Sequence, residues 1–349
     1  MFSSLFKRSI REPKTAVING NSIVVKPNET LLHAALRMHI DFPHSCRVGG
    51  CAQCKCRLVD GKVKELTDVG YILSDEEFEN GFILACQSIP KTDISVEVDL
   101  SAVAPITRTG GRIIEQTKLT HDITELRIQL HDTVQYKPGQ FANIALASLP
   151  DAFRSYSFAS PRDVSGQVIF YVREVPNGKF SGAINQQDLV GTEVKLEGPM
   201  GDFWLRSGSE PIVMIAGGSG LAPIMGMLKQ AVKEDHRSRD VTLLFGARSQ
   251  QDLYKLEDIK KISTSWSGSF NFIPVLSEEP SESNWQGARG LVTEFIPEST
   301  TDGTQAYLCG PPAMIDAAES ALLNNGINLN NLYADRFTTL VPVNTTNAA

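Results

Sequence analysis

The chain has 349 residues, of which 42% are hydrophobic, and a chain of this length predicts two or three domains rather than one core. Its formal net charge is −7 at pH 7, and this acidic balance argues against nucleic acid as a partner because phosphate binding needs clustered Lys and Arg. No run of eighteen apolar residues free of glycine or charge occurs and no secretory signal is recognisable, so we expect neither an integral membrane segment nor export.

Residues 15–100 are predicted to form a small β-rich domain. Short apolar runs typical of strands occur in TAVI, SIVV, CKCRLVDGKV and ISVEVDL, and one amphipathic helix is expected to begin near Thr30, in LLHAALRMH. The acidic group at residues 75–79 could steer a basic redox partner, although a solvated helix start is the simpler interpretation.

Four cysteines of this segment follow the pattern C-x4-C-x2-C with a distant fourth: Cys46, Cys51, Cys54 and Cys86. This is the ligand spacing of a plant-type 2Fe–2S cluster, and Gly49 and Gly50 allow the backbone to curl around the inorganic sulfurs. The alternatives are a disulfide or a zinc site, but zinc knuckles favour two C-x2-C pairs and here a single pair is present. A cluster of this kind moves single electrons, so a two-electron donor is expected elsewhere in the chain.

The other cysteines and a neighbouring histidine receive simpler interpretations. Cys56 is expected to be a small packed hydrophobe, and His44 a solvated loop histidine rather than a ligand. Since four of the six cysteines have a metal-ligand pattern, the usage is typical of a reducing compartment, and we expect a cytoplasmic protein.

A linker is predicted near residues 101–112, where small and turn residues dominate, and a second domain over 108–208. Six short strands at regular intervals predict a small antiparallel barrel. Within it, Arg154-Ser155-Tyr156-Ser157 precedes VPNGKFSGAI, a pair of motifs typical of a flavin site. An arginine suits a pyrophosphate, and an expected helix preceded by Lys179, Ser181 and Gly182 offers free N–H groups to the same phosphates.

A third domain is predicted over residues 209–337. It opens on an apolar strand at 212–216, a turn containing Gly217, Gly218 and Gly220, and a helical pattern, which together predict a phosphate cradle. Further strands that run into loops or helices occur in VTLLFGAR, FNFIPVLS and QAYLCGPPAMIDAAESAL, and they predict a five-stranded, doubly wound parallel sheet.

The motifs occur in the order RSYS, GK-S-G, EGPMGDF, AGGSGLAP, YLCGPPAMI and DRF, and by this order residues 108–337 resemble the ferredoxin-NADP reductase superfamily. With the N-terminal cysteine motif, residues 15–337 resemble the NADH-dependent reductase component of bacterial multicomponent oxygenases. The resemblance implies a multidomain α+β and α/β chain made of a β-grasp ferredoxin domain, an antiparallel flavin-binding β-barrel and a doubly wound parallel-sheet NAD-binding domain. Residues 1–14 and 338–349 would be terminal extensions.

The resemblance also assigns site residues. Arg154, Tyr156 and Ser157 would hold the flavin, with Ser157 near N5 as a catalytic candidate, and the pyrophosphate would lie against Gly178, Lys179, Ser181 and Gly182. The dinucleotide would contact Gly217, Gly218, Gly220 and Pro223, and its nicotinamide ring Cys309, Gly310 and Pro311, with Cys309 the second catalytic candidate. Phe337 corresponds to the superfamily's C-terminal aromatic position, although twelve residues follow it here.

The implied function is electron transfer from NADH through FAD and the 2Fe–2S cluster to a terminal oxygenase or an intermediary ferredoxin. FAD is favoured over FMN because the cluster domain comes first. NADH is favoured over NADPH because Arg248 could pair with a 2′-phosphate but Gln250, Gln251 and Asp252 offer no second cation. Two alternatives stay open: a reductase for a deoxysugar dehydratase, and a redox-sensing flavo-iron-sulfur protein.

Overall fold

The computed structural model describes residues 12–38, 40, 42–44, 53–66, 72–73, 75–99, 106–150, 152–298, 300–301 and 303–337. The backbone divides into two compact units, Met1–Pro105 and Ile106–Ala349. Among the described residues, no helix combines the length and the apolar character needed to cross a bilayer.

The first unit contains a five-stranded mixed sheet in the order β2-β1-β7-β3-β5 and a small β4-β6 sheet. Its elements are β1 (Lys14–Ile18), β2 (Asn21–Val25), α1 (Leu31–Arg37), β3 (Lys55–Asp60), β4 (Val63–Glu65), α2 (Asp75–Glu79), β5 (Phe82–Leu84), β6 (Ser88–Pro90) and β7 (Ile94–Glu97). Helix α1 begins after Thr30, whose side chain accepts a hydrogen bond from the His33 N–H at 3.3 Å. This confirms the predicted helix start, and the helix buries Leu31, Leu32, Ala34 and Ala35 in the core of the unit.

The second unit opens with a six-stranded antiparallel sheet in the order β11-β10-β13-β8-β9-β12. Its elements are β8 (Thr107–Lys118), β9 (Ile123–Leu130), β10 (Phe141–Leu146), β11 (Arg154–Ser157), β12 (Gln167–Arg173), α3 (Lys179–Gln186) and β13 (Glu193–Met200). The sheet nearly closes on itself, because the Ala159 N–H just after β11 donates to the Ile169 carbonyl of β12 at 2.8 Å. The predicted small antiparallel barrel is confirmed.

The linker predicted near 101–112 is wrong in its second half, which forms the first strand of the barrel. Residues from Thr107 onward belong to β8 and pair with β13 and β9. Gly110 and Gly111 serve close strand pairing here rather than flexibility, since a Cβ on Gly111 would lie 2.9 Å from the Gln129 carbonyl oxygen.

The rest of the second unit is a parallel sheet in the order β17-β16-β15-β14-β18-β19, with an apolar core on each face. Its elements are β14 (Ile212–Gly217), α4 (Leu221–Lys233), β15 (Val241–Ala247), α5 (Leu256–Ser265), β16 (Phe270–Leu276), β17 (Ala288–Arg289), β18 (Gln305–Gly310), α6 (Pro312–Asn324) and β19 (Leu332–Arg336). The doubly wound arrangement is confirmed. The sheet has six strands rather than the five predicted, because β17 has two residues and is too short to leave a periodic pattern.

Candidate functional site

Two of the four predicted cluster ligands lie together in the first unit, while Cys46 and Cys51 fall outside the described residues. Cys54 and Cys86 are both buried, and the Cys86 N–H donates to Cys54 Sγ at 3.4 Å. The Gln87 side-chain amide donates to Cys86 Sγ at 3.5 Å. Amide donors directed at two neighbouring sulfurs stabilise thiolate charge, so this part of the unit fits an iron–sulfur cluster.

Of the two predictions made for neighbours of these cysteines, one is confirmed and one is wrong. Cys56 is 1% exposed, which confirms a small packed side chain, and burial, followed by the nearby Cys86, raises its pKa to about 12. The prediction of a solvated His44 is wrong: the residue is 8% exposed, and its ring Nδ1 lies 2.8 Å from the Phe42 carbonyl oxygen. A hydrogen bond within the same short segment satisfies this polar ring, so it can be buried.

Strand β11 carries the RSYS motif beside β10, with Ser157 opposite Phe141 and Arg154 opposite Ile144. Arg154 is exposed, and its Nη1 donates to the neighbouring Phe153 carbonyl at 2.7 Å. The Tyr156 ring contacts Phe180 of α3, with ring centroids 5.4 Å apart. The motif therefore lies next to the helix that carries the second predicted flavin motif.

That helix begins earlier than predicted. Gly178 is the N-cap of α3, so Lys179, Ser181 and Gly182 form its first turn instead of preceding it. A Cβ on Gly178 would lie 2.4 Å from Ser181 Oγ, which leaves room for glycine alone, whereas one on Gly182 would meet nothing closer than 3.9 Å. The Ser181 hydroxyl accepts the Val175 N–H at 3.1 Å and holds the loop against the turn.

A cleft of about 450 Å³ lies along this first turn. Its lining residues are Leu149, Glu174, Val175, Asn177, Gly178, Lys179, Gly182, Ala183, Gln186 and Gln187. The first N–H groups of a helix have no partner inside the helix, and they attract anions together with the helix dipole. A glycine turn, one lysine and a cleft at this place fit a phosphate-bearing cofactor.

The glycine turn after β14 packs directly on the CGPP segment that ends β18. A Cβ on Gly220 would lie 2.1 Å from the Cys309 carbonyl oxygen, and one on Gly217 2.5 Å from Met314 Sδ. Gly218 adopts a positive φ of 53°, and its carbonyl accepts the Tyr254 hydroxyl at 2.9 Å. Pro223 is buried in the first turn of α4. The two segments predicted to contact one dinucleotide are therefore neighbours.

The barrel meets the parallel sheet at Ser157. Its hydroxyl donates to Asp335 Oδ2 at 3.4 Å, and Asp335 lies opposite Cys309 in the pairing of β18 with β19. Burial, followed by the charge of Asp335, raises the pKa of the Cys309 thiol well above its usual value, which disfavours the reactive thiolate form. The Phe337 N–H donates to the Gly310 carbonyl at 2.9 Å, next to Pro311. The two predicted catalytic candidates thus lie at one junction.

Sequence reasoning missed three residues at this junction between the two sheets. Asp335 stood inside the DRF motif without a role of its own. Glu125 of β9 and Lys255, which precedes α5, form an ion pair with 2.6 Å between Lys255 Nζ and Glu125 Oε2. Both pairings join residues more than a hundred positions apart, and no local pattern predicts such a contact.

Arg248, predicted as a possible partner of a 2′-phosphate, lies at the end of β15 between two carboxylates. Its Nη2 is 3.5 Å from Asp252 Oδ1 and 3.9 Å from Asp122 Oδ2. Its guanidinium is therefore half-exposed beside two carboxylates at the edge of the sheet.

Three family models match successive parts of the chain. The 2Fe-2S iron-sulfur cluster binding domain matches residues 16–91, the oxidoreductase FAD-binding domain 111–204, and the oxidoreductase NAD-binding domain 214–320. The cofactors predicted from the sequence, a 2Fe–2S cluster, FAD and NAD, are those that these three domains bind.

Relatives are similar over almost the whole chain. The xylene/toluene monooxygenase electron transfer component XylA of Pseudomonas putida is 43% identical, with 91% of each chain covered. The phenol 2-monooxygenase reductase component DmpP of Pseudomonas sp. strain CF600 is 33% identical, with 92% of each chain covered. The crystal structure of the Amycolatopsis cytochrome P450 reductase GcoB superposes with a TM-score of 0.74 at 31% identity, covering 93% of this chain and 99% of that one. The chain belongs to the family of NAD-dependent, FAD- and 2Fe–2S-containing reductase components of multicomponent oxygenases.

Proposed function

We propose that this protein transfers electrons from NADH, through FAD and a 2Fe–2S cluster, to a terminal oxygenase or to its intermediary ferredoxin. The meeting of Ser157, Asp335 and Cys309 at one junction carries the proposal, because it brings the flavin motif of the barrel to the dinucleotide turn of the parallel sheet. The relatives described above are named as monooxygenase or cytochrome P450 reductases, which favours an oxygenase acceptor over a deoxysugar dehydratase.

The residues divide into three groups by their proposed roles. FAD is bound by Arg154, Tyr156, Ser157, Gly178, Lys179, Ser181 and Gly182. The nicotinamide dinucleotide is lined by Gly217, Gly218, Gly220, Pro223, Cys309, Gly310, Pro311 and Phe337. The cluster is held by Cys46, Cys51, Cys54 and Cys86. The corresponding domains are 15–100, 108–208 and 209–337. When bound, the flavin supplies the exchange between a two-electron donor and a one-electron acceptor.

The contribution of the chain itself is position and the exclusion of water. The close contact of Gly220 with the Cys309 carbonyl fixes the dinucleotide turn against β18, and the Ser157–Asp335 hydrogen bond fixes the barrel against β19. Hydride transfer needs two rings held in contact at a fixed distance, and it needs no general base. The neutral Cys309 thiol can line the site beside such rings, because it brings no charge into the site.

We place the protein in the cytoplasm. Cys56 and Cys309 are buried free thiols, and such residues persist in a reducing compartment. NADH as donor is supported by the pairing of Arg248 with Asp122 and Asp252, because these contacts bring carboxylates to this place rather than a second cation.

Replacing one cluster ligand tests the separate electron path. Cys86→Ser should abolish NADH-dependent reduction of a one-electron protein acceptor, such as cytochrome c or the purified oxygenase, while NADH–ferricyanide activity from the flavin remains. Cys56→Ala is the matched control, because it removes a buried thiol from the same unit and should leave both activities. Equal loss of both activities in Cys86→Ser would contradict a relay through the cluster.

A further inference from the structure

We propose that Tyr254 is a positioning residue for dinucleotide binding: its hydroxyl holds the Gly218 carbonyl, so that the glycine turn after β14 keeps its N–H groups available to a pyrophosphate. This inference rests on the proposed function, in which that turn binds the nicotinamide dinucleotide. Tyr254 lies between β15 and α5, 36 positions from Gly218, and outside every motif from which the site was predicted.

The Tyr254 side chain is buried against the turn. The residue is 4% exposed, and its hydroxyl donates to the Gly218 carbonyl oxygen at 2.9 Å. Burial raises the pKa of Tyr254 well above its usual value, so the hydroxyl keeps its proton and stays a donor. The same carbonyl accepts the Leu221 N–H at the start of α4. Both lone pairs of this oxygen are therefore used, and the Gly218 peptide is held by two partners.

The orientation of this peptide decides what the turn presents to a ligand. A peptide bond is planar and trans, so a carbonyl held by Tyr254 directs the Ser219 N–H to the opposite side. Gly218 has a φ of 53°, and because glycine also populates negative φ at little cost, the residue itself does not fix the peptide. The first N–H groups of a helical turn attract anions, whereas a reversed peptide would present its carbonyl oxygen to the phosphates. The Tyr254 hydrogen bond therefore favours the arrangement that suits a pyrophosphate.

Two aromatic side chains keep the Tyr254 ring in this position. Tyr171 of β12 and Phe245 of β15 both meet it edge to face, with ring centroids 5.7 and 5.6 Å away and interplanar angles of 81° and 89°. Aromatic pairs in this geometry are favourable beyond the apolar area that they bury. Lys255, the next residue, pairs with Glu125 of the barrel. Because Tyr171 and Glu125 belong to the barrel, the flavin domain contributes to the shape of the dinucleotide turn.

Tyr254→Phe in the full-length, FAD-loaded protein tests the inference, because it removes the hydroxyl and keeps the ring. Calorimetry gives the dissociation constants for NAD⁺ and ADP-ribose. Loss of one ordinary hydrogen bond should weaken the binding of both ligands by about fivefold to tenfold, because a smaller fraction of the protein then has a turn competent to bind. ADP-ribose shares the pyrophosphate of NAD⁺ but has no nicotinamide, so equal losses locate the effect at the turn.

Stopped-flow absorbance of the same variant separates binding from flavin reduction. The NADH concentration that gives half of the limiting rate should rise by the factor found for NAD⁺. The limiting rate itself should stay within about twofold of wild type, because NADH that has bound reaches the same contact with the flavin. A purely structural role of Tyr254 would lower Tm and leave the affinities for both ligands unchanged.

Tyr171→Phe is the matched control. It removes a buried hydroxyl from the ring that contacts Tyr254, and among the described residues that hydroxyl has no hydrogen-bond partner. The affinities for NAD⁺ and ADP-ribose should therefore stay within about twofold of wild type. If Tyr254→Phe fails to retain FAD, Tyr254→Met, which fills the space with a flexible apolar chain, is measured by the same criteria.

Two outcomes would overturn the inference: an FAD-loaded Tyr254 variant that binds ADP-ribose as wild type does, or an equal loss of ADP-ribose affinity in Tyr171→Phe. Loss of FAD from both Tyr254 variants would also overturn it, because Tyr254 would then serve the flavin domain rather than the turn. A wild-type protein whose flavin is not reduced by NADH would instead contradict the proposed function, so the two failures are distinguishable.

Discussion

The ion pair between Glu125 and Lys255 joins the barrel to the parallel sheet, and its burial predicts a large loss when one partner is removed. The side chains are 7% and 18% exposed, and among the described residues no partner other than Lys255 compensates Glu125 Oε2. Lys255→Met leaves this carboxylate buried beside the Tyr171 ring. Breaking a buried pair in this way costs about 3–5 kcal/mol.

For a unit of this size, that cost corresponds to a fall in Tm of about 6–20 °C. The assay is thermal unfolding of the full-length holoprotein, monitored by circular dichroism and by the fluorescence of released FAD. Arg112→Met is the matched control, since the Arg112–Glu193 pair has a similar separation of 2.8 Å but side chains that are 60% and 41% exposed. An exposed pair of this kind contributes less than about 1 kcal/mol.

The comparison of the two variants decides whether burial determines the cost. If Lys255→Met lowers Tm no more than Arg112→Met does, burial of the pair does not determine the cost of breaking it. Combining Lys255→Met with Glu125→Leu should recover most of the loss, because replacing both charges by apolar groups leaves no buried charge without a partner.

Three further predictions concern the flavin turn and the junction. Gly182→Ala should stabilise the FAD-free protein by about 0.5–1 kcal/mol through helix propensity, yet it should weaken FAD retention. Gly178→Ala, whose Cβ would lie 2.4 Å from Ser181 Oγ, should lower both the stability and the FAD retention. Wild-type FAD retention in Gly182→Ala would contradict the proposed role of this turn. Because the pKa of Cys309 is raised, stability should fall as pH rises above the usual thiol pKa of about 8.5, and Cys309→Ala should make this alkaline slope shallower in denaturant titrations. Ser157→Ala should slow flavin reduction by NADH by about tenfold or more while FAD stays bound, as measured by stopped-flow absorbance. An unchanged rate would show that Ser157 has no role in flavin reduction.

Local signals in the sequence were enough for most elements and for the motif positions. The Thr30 cap, the six barrel strands and the βα alternation each depend on near neighbours along the chain, and the structure confirms them. The glycines of the turn after β14 were singled out by pattern. Their physical reason, the 2.1 Å approach of a Gly220 Cβ to the Cys309 carbonyl, became visible in the folded chain.

The errors and omissions arise where a distant segment decides the outcome. Gly110 and Gly111 indicated a linker by composition, but strand pairing with β9 and β13 places them inside a sheet. His44 was predicted to be a solvated loop residue, but a hydrogen bond with a nearby backbone carbonyl allows its burial. The pairing of Arg248 with Asp122 spans more than a hundred residues, so the charge of Arg248 alone suggested a free cation.

The most direct test of the account is an anaerobic titration of the purified full-length protein with NADH, recorded by visible and EPR spectroscopy. Electron flow from NADH through FAD to the cluster should bleach the flavin absorbance and produce the EPR signal of a reduced 2Fe–2S cluster. Flavin bleaching with no cluster signal, or a preparation that contains zinc instead of iron and sulfide, would contradict it.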